Sequence, residues 1–215
     1  MIMARSELRE LTPEEQDIVA KCKVLGVDVA HPADFISYSY RAGVPMPEVV
    51  AKLYASELER DHDKNLIAIM MQAGAVPQFR EIMLPAIVKV MLREGDNHTT
   101  GFAINALGEI VLPADSALVA ELLLTKKIGG KRILLISTYT RIAKKTAIPV
   151  LRKLVLDQDT RAYALKALAK LGDISIEHEL RELLKSPESF HREIARAALK
   201  QVEKRKLKFH PVNLQ

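Results

Sequence analysis

Two nine-residue segments of this 215-residue chain superimpose almost position by position. Residues 84–92 read LPAIVKVML and residues 148–156 read IPVLRKLVL, so the prolines, the lysines and most apolar positions coincide at an offset of 64. Related segments lie between and beyond them, at Ala117–Leu124 and Glu179–Leu184. This spacing gives a unit of about 30 residues, the size of a helix pair in repeat proteins. The repeat therefore predicts stacked helical hairpins.

A second set of matches falls between these segments. Arg161–Leu168 resembles Arg192–Leu199 at an offset of 31, and Ala106–Gly108 corresponds to Ala167–Ala169. Many of the matched residues are small, and small side chains let neighbouring helices approach closely. We expect these segments to be the first helices of successive pairs.

The composition favours an all-α fold. Apolar residues make up 48% of the chain, whereas aromatic residues make up 5% and Trp is absent. Aliphatic side chains therefore supply most of the core, which suits helix packing better than a sheet. The single cysteine, Cys22, excludes an intramolecular disulfide and a thiolate-ligated zinc site. It lies in a predicted amphipathic helix, where we expect a buried thiol.

One sequence element carries a family resemblance. Ala167, Leu168, Leu171, Gly172 and Asp173 are followed by Leu180, Leu183 and Leu184, with a fainter copy at Ala106, Leu107, Ile110, Val119, Leu122 and Leu123. With these residues the chain resembles the HEAT-like family, in particular its short phycobilin-lyase-type variety, over about residues 64–205. The resemblance implies an armadillo-type architecture, a short right-handed α-solenoid of about four HEAT-like helix pairs. The copy at 133–143 departs from the pattern, because Ser137, Thr138 and Thr140 stand where alanines are expected.

The first 63 residues lie outside the repeat and are predicted to form an irregular N-terminal helical cap. Thr12 and Glu15 make a capping box, so a helix is expected from there to Val24. Further helices are predicted over 34–41 and 47–60. Such a cap is needed because the first repeat would otherwise leave its apolar face in water. The predicted organisation is a cap over 1–63, a repeat stack over 64–206 and a frayed basic tail over 207–215.

Glycines and prolines mark the predicted helix boundaries. Gly-Asp at 95–96 and 172–173, and Gly-Gly at 129–130, are turn signals. Pro85, Pro149 and Pro187 are expected in the first turns of their helices, where a missing N–H costs little.

The strongest charge feature is a basic stretch from Lys126 to Lys153, which contains no Asp or Glu. It is interpreted either as a surface for phosphates or an acidic partner, or as ordinary solvated loop charge. Lys126 and Lys144 fall at opposite ends of predicted hairpins, so the charges do not all share one surface. The candidate residues for nucleic-acid binding are Lys126, Lys127, Lys131, Arg132 and Lys144.

Other activities are less favoured. A weak helix-turn-helix pattern over 35–58 places Pro47 and Glu48 at the start of the would-be reading helix, where they are poor base readers. DNA glycosylases with HEAT-like repeats place aromatic residues beside the lesion, but Tyr139 is the sole aromatic of the basic stretch. His62, between Asp61 and Asp63, suggests a charged helix junction rather than a metal site.

The sequence thus predicts a non-enzymatic protein-binding scaffold or regulator that uses the concave face of its repeats. The partner is expected to be another protein with an acidic patch, with nucleic acid as the alternative, and no cofactor, metal or membrane contact. The family resemblance by itself also implies a third role, that of an enzyme accessory such as a lyase or a lyase-like chaperone. The chain shows no signal peptide, which favours the cytoplasm. The candidate partner-binding residues are Lys89, Glu121, Arg141, Lys145, Arg152, Lys153 and Arg181.

Overall fold

A computed structural model describes residues 10–36, 46–95 and 97–209 of the chain. All regular structure within these residues is helical, and none of it is a strand. The predicted all-α class is therefore confirmed. The chain divides into two compact units, Met1–Val111 and Leu112–Gln215.

The first unit packs its helices around a methionine-rich core. Its helices are α1 (Pro13–Val24), α2 (Glu48–Glu57), α3 (Lys64–Gly74), α4 (Arg80–Glu94) and α5 (His98–Ile110), with 3₁₀ turns at Pro32–Phe35 and Pro77–Phe79. Helices α3 and α4 both pack against α5, and α2 packs against α4. Met70, Met71, Met83 and Met91 are fully buried between these helices. Their flexible thioethers suit the irregular spaces that helices of unequal length leave.

The second unit contains the longest helix of the described chain. Its helices are α6 (Ser116–Leu124), α7 (Leu135–Ala143), α8 (Ile148–Leu154), α9 (Gln158–Leu171), α10 (Glu177–Leu183) and α11 (Ser189–Phe209). Its 3₁₀ turns are Pro113–Asp115, Gly129–Leu134, Lys144–Ala147 and Ile174–Ile176. Helix α9 packs against both α7 and α11, α8 packs against α9, and α10 packs against α11.

The segments that superimpose in sequence adopt the same kind of structure. Residues 84–92 lie in α4, and the matching residues 148–156 form α8 and its C-terminal turn. The second pair of matching segments lies in α9 and α11. A 3₁₀ turn also lies between α3 and α4, between α7 and α8, and between α9 and α10, as it does between α5 and α6 and between α6 and α7. The repeat therefore marks a recurring helix–turn–helix element.

The predicted capping box at the start of α1 is confirmed. The Thr12 hydroxyl accepts a hydrogen bond from the Glu15 backbone N–H at 3.2 Å, and the Glu15 carboxylate accepts one from the Thr12 N–H at 2.9 Å. These bonds satisfy two of the N–H groups that a helix start leaves unpaired. The helix ends at Val24, as expected.

Two other boundaries in this part of the chain differ from the prediction. The element expected over 34–41 begins earlier, as the 3₁₀ turn Pro32–Phe35, because the His31 ring caps it by accepting the Ala33 N–H. Residues 37–45, with the turn of the proposed helix-turn-helix, lie outside the described residues. Helix α2 is shorter than the expected 47–60.

The prolines do not all occupy the expected first turns. Pro149 does lie in the first turn of α8. Pro85 lies inside α4, because the 3₁₀ turn Pro77–Phe79 leads directly into a helix that begins at Arg80. Pro187 precedes α11, which continues beyond Lys206 to Phe209. The Arg205 guanidinium holds this end of α11 by donating to the Lys170 carbonyl at 2.9 Å.

The Gly172–Asp173 turn that ends α9 requires glycine. Gly172 has φ +94°, and its N–H donates to the Leu168 carbonyl at 3.0 Å. A β-carbon at this position would overlap the Arg205 guanidinium. By contrast, Gly101 lies inside α5, and a β-carbon there would point into open space.

Replacing these two glycines by alanine is expected to have opposite effects. Gly172→Ala should lower the free energy of unfolding by roughly 1–2 kcal/mol, the cost of the left-handed region for a side chain. Gly101→Ala should raise it by roughly 0.5–1 kcal/mol, because alanine restricts the unfolded chain. Urea unfolding followed by circular dichroism measures both. Equal effects would contradict the role assigned to the turn.

Candidate functional site

A groove of about 380 Å³ lies along α7 and α9 in the second unit. It is lined by Ile133, Leu134, Ile136, Ser137, Thr140, Tyr163, Lys166, Ala167 and Lys170. The four α9 residues recur with the spacing of one helix face, so they form a continuous wall. We call this surface the α7–α9 groove.

The hydroxyl groups on the α7 side are turned back onto their own helix. Thr140 donates to the Ile136 carbonyl at 2.6 Å, and Ser137 lies 3.4 Å from the Leu134 carbonyl. Their hydroxyls are thereby satisfied locally. Ile133 and Ile136 line the groove beside them. Ser137 and Thr140 are two of the residues that depart from the repeat pattern, so this departure coincides with the groove.

The groove continues into an exposed apolar surface. The Tyr163 ring contacts the Phe190 ring, with centroids 5.8 Å apart and planes inclined by 48°. Phe190 is 49% exposed and Leu134 is 43% exposed. Aromatic side chains that combine exposure with a fixed position are typical of binding surfaces.

The charge around the groove is of one sign. Lys166 and Lys170 lie one helical turn apart on α9, and both side chains are exposed. Among the described residues, no carboxylate lines the groove and none forms an ion pair with either ammonium. The α7–α9 groove therefore combines an apolar floor with an unneutralised positive rim.

The predicted partner-binding residues lie elsewhere, and the internal partners of Lys89, Arg152 and Arg181 are well defined. Lys89 contacts Glu59, and Arg181 donates to Glu177 at 2.7 Å. Arg152 donates to Asp173 through Nε at 2.9 Å and also contacts Ser175. Each of these charges thus already has a partner within its own unit. None of the seven lines the groove.

The other four predicted partner-binding residues have exposed side chains. Glu121 lies on α6, Arg141 near the end of α7, Lys145 in the following turn and Lys153 on α8. These four residues lie on three different helices and one turn, so they do not share one helix face. Their role in binding stays a prediction.

The predicted nucleic-acid residues separate into two groups. Lys126, Lys127, Lys131 and Arg132 precede α7, while Lys144 follows it. Helix α7 separates the two groups along the chain, and its nine residues span about 13 Å at 1.5 Å per residue. Tyr139, the aromatic of this stretch, is buried. The basic stretch is therefore divided into two groups that lie before and after α7 in the chain.

Arg132 is a buried structural residue. It is 4% exposed, and its Nη2 lies 2.5 Å from Asp157 Oδ2 and 3.7 Å from Asp159 Oδ2. The hydrogen bond from Arg132 lowers the pKa of the Asp157 carboxyl below its ordinary value, although partial burial opposes this effect. A buried and paired guanidinium does not reach a phosphate backbone, so Arg132 is removed from the candidate nucleic-acid set.

His62 belongs to a buried ion cluster in the first unit. Its Nε2 lies 3.0 Å from Glu57 Oε2, and Lys21 Nζ donates to the same carboxylate at 2.9 Å. Burial raises the pKa of Glu57, but the bonds from Lys21 and His62 outweigh burial and leave the pKa below its usual value. Nowhere in the described residues do three His, Cys, Asp or Glu side chains come together as metal ligands. His62 therefore joins helices, as its sequence context suggests.

Comparison with protein-family models, with curated proteins and with solved structures gives no match for this chain. The HEAT-like resemblance therefore stays a prediction. None of the helices in the described part of the chain combines the length and apolar character that crossing a membrane requires.

Asp157 offers a test of the Arg132 ion pair, because it also caps α9 by accepting the Asp159 N–H at 3.1 Å. Asp157→Asn keeps a capping side chain but removes the charge, so it should cost about 2 kcal/mol of stability, because only the more distant Asp159 carboxylate is left to pair with the buried Arg132. Asp157→Ala should cost about 1 kcal/mol more, because the cap is lost as well. Urea unfolding at neutral pH measures both values.

The same pair predicts a pH dependence. Because the folded-state pKa of Asp157 is lowered, its contribution to stability is complete above the unfolded pKa of about 3.9 and is lost as the pH falls through the lower folded value. Unfolding midpoints measured between pH 6 and pH 2 should fall less steeply in Asp157→Asn than in the parent chain. If the midpoints of both proteins fell equally steeply with pH, the stabilising role assigned to the Asp157–Arg132 pair would be contradicted.

Proposed function

We propose that this chain is a non-enzymatic, HEAT-like repeat protein that acts as a protein-binding scaffold or regulator. Its docking surface is the α7–α9 groove, and the partner is a protein segment that forms an acidic amphipathic helix. The observation that carries the proposal is the apolar groove floor flanked by Lys166 and Lys170, with no carboxylate among the lining residues that the structure describes.

The chemistry of the groove determines the kind of partner. A helix that docks in a groove inserts apolar side chains spaced one turn apart and places polar side chains along the edges. Leu134, Ile136 and Tyr163 offer the apolar contacts. Lys166 and Lys170, themselves one turn apart, match carboxylates spaced by one turn on the partner. A basic or neutral helix would leave both ammonium groups without partners at the edge of the contact.

A solenoid arrangement is part of the proposal. It is supported by the packing of α9 against both α7 and α11, since these are the first helices of successive sequence repeats. The recurring 3₁₀ turns between paired helices give the repeats similar local geometry. In such a stack, neighbouring first helices form a common face, and a groove between them is a natural binding surface. The buried free thiol of Cys22 agrees with a reducing compartment such as the cytoplasm.

Nucleic-acid binding is the second candidate. The observation that favours it is the exposure of four lysines in the segments before and after α7, namely Lys126, Lys127, Lys144 and Lys145. Phosphate contacts release counterions, so this binding would weaken steeply as the salt concentration rises. A largely apolar groove contact would depend on salt much less.

The test is capture of partners by the tagged full chain from nuclease-treated lysate, followed by affinity measurement with the identified partner. We expect a partner that contains an acidic amphipathic helix. The double variant Lys166→Glu, Lys170→Glu should weaken its binding at least tenfold, because two attractive contacts become repulsive. The matched control is Lys144→Glu, Lys145→Glu, which changes the net charge equally but lies outside the groove.

The reverse pattern would overturn the groove assignment. If only the control variant weakens binding, or if capture disappears on nuclease treatment, the basic turns rather than the groove are the binding surface. Tyr163→Ala measures the apolar contribution to partner binding separately from charge, because it removes an aromatic side chain from the groove wall and leaves both lysines unchanged.

A further inference from the structure

We infer that the first unit contains a pH-sensitive junction, in which a doubly protonated His62 joins α1 to α2 and a neutral His62 loosens the first turn of α1. The two ring nitrogens of His62 face carboxylates from different helices. Nε2 lies 3.0 Å from Glu57 Oε2, at the end of α2, and Nδ1 lies 3.5 Å from Glu14 Oε2, in the first turn of α1. The His62 side chain is 8% exposed, so water is largely excluded from these contacts.

The protonation state of the ring determines whether both contacts are attractive. A neutral imidazole has one N–H donor and one nitrogen lone pair, whereas the imidazolium has two N–H donors and a positive charge. Only the imidazolium offers a proton to both Glu57 and Glu14. In the neutral ring, a nitrogen lone pair faces a carboxylate oxygen, and the two repel each other. The arrangement therefore fits the charged ring and not the neutral one.

The contact with Glu14 is the one that a neutral ring loses. The distance from Nε2 to Glu57 is that of a hydrogen bond, while the distance from Nδ1 to Glu14 is longer, so the remaining proton stays on Nε2. Glu14 keeps one other bond, because its Oε2 accepts the Asp63 N–H at 2.8 Å. Loss of a proton from His62 therefore weakens the attachment of the first turn of α1 without abolishing it.

The cations around Glu57 keep that carboxylate ionised whatever the state of His62. Lys21, in the last turn of α1, donates to Glu57 Oε1 at 2.9 Å and also pairs with Asp17 at 2.6 Å. Arg60 lies 3.3 Å from Glu57 Oε2. Burial raises the pKa of Glu57, but the bonds from its partners leave the pKa below its ordinary value. The last turn of α1 therefore stays attached to α2 when the first turn loosens.

The segment that carries His62 holds further charged groups. Asp61 and Asp63 flank His62 in the chain, and Arg93 of α4 donates to the Leu58 carbonyl at 3.1 Å. Aspartate and arginine side chains ordinarily keep their charge between about pH 5.5 and about pH 8, as lysine does. They contribute to the field around the ring, but they do not titrate with it. His62 is therefore the titrating group of the junction.

His31 provides an internal contrast on the same helix. It lies beside Glu15, the residue after Glu14, with its Nε2 3.7 Å from Glu15 Oε1. Its Nδ1 accepts the Ala33 N–H at 2.9 Å, so this nitrogen carries no proton. A neutral ring with its proton on Nε2 satisfies both contacts of His31. Raising the pH therefore preserves the contacts of His31, and the loosening of α1 is specific to His62.

The sign of the pH effect follows from these contacts. Imidazole ordinarily titrates at about pH 6.5, so the junction is complete at low pH and is lost as the pH rises from about 5.5 to about 8. The effect is opposite in sign to that of Asp157 in the second unit, whose contribution is lost as the pH falls.

Hydrogen exchange of the backbone amides of α1 in the full chain tests the inference. Mass spectrometry of the peptide that contains α1 gives the exchange rate at pH 5.5 and at pH 8. The rate expected for an unstructured chain, divided by the observed rate, is a protection factor that is free of the direct effect of pH on exchange. We expect the protection factor of α1 to fall roughly three- to tenfold between these two pH values, the size expected when one contact of this kind is lost. Helix α9 in the second unit serves as the internal reference and should keep its protection.

Three variants separate His62 from other causes. His62→Gln has no titrating ring, so the protection of α1 should change little with pH. Glu14→Gln removes the charge that repels the neutral ring and keeps an acceptor for the Asp63 N–H, so it should also flatten the response. The matched control is His191→Gln, which removes a histidine 3.4 Å from Glu188 in the second unit and should keep the response of the parent chain.

Two exchange results would overturn the inference. One is a protection factor of α1 that stays constant or rises between pH 5.5 and pH 8, and the other is a His62→Gln variant that keeps the full response. Should His62→Gln fail to fold, the ¹⁵N shifts of the His62 ring in the parent chain replace it. Both ring nitrogens should be protonated at pH 5.5 and Nε2 alone at pH 8, and a deprotonated Nδ1 at pH 5.5 would contradict the junction. These measurements do not involve the α7–α9 groove, so the inference is independent of the proposed function.

Discussion

Two aspartates in the second unit each stabilise two structural elements at once. Asp157 caps α9 and accepts an ion pair from Arg132, which lies 25 residues earlier. Asp173 accepts the Ser175 N–H at the start of the next 3₁₀ turn and the guanidinium of Arg152, 21 residues earlier. Each pair therefore fixes the start of a helical element to the preceding part of the chain. A cap alone would define where the helix begins, but the arginine also defines where it lies.

The position of α9 depends on these contacts, and the surfaces described above depend on α9. Its N-terminal end is held through Asp157, and its C-terminal end is held where Arg205 donates to the Lys170 carbonyl. Between these anchors, one face of α9 forms the wall of the α7–α9 groove. A helix held at both ends presents its side chains in fixed positions, which reduces the entropy that binding has to overcome.

The local features of the fold could be predicted from the sequence because neighbouring residues determine them. The capping box at Thr12, the turn at Gly172 and the helical nature of the repeated segments are of this kind. The predicted start of α4, with Pro85 in its first turn, was wrong because a 3₁₀ turn can lead into a helix well before a proline. The buried ion pair of Arg132 could not be found from sequence, since its acidic partner lies outside the basic stretch. The groove was missed for a similar reason, because Ser137 and Thr140 read as polar although their hydroxyls bond their own helix.

Because Cys22 is buried, its thiol can report local opening of the first unit by itself. The thiol is fully buried in α1, and burial raises its pKa, so both access and thiolate formation are suppressed in the folded state. Since the chain has no other cysteine, a thiol reagent reacts only when this part of the protein opens. The rate of thiol labelling therefore measures local opening of the structure around α1, separately from events in the second unit.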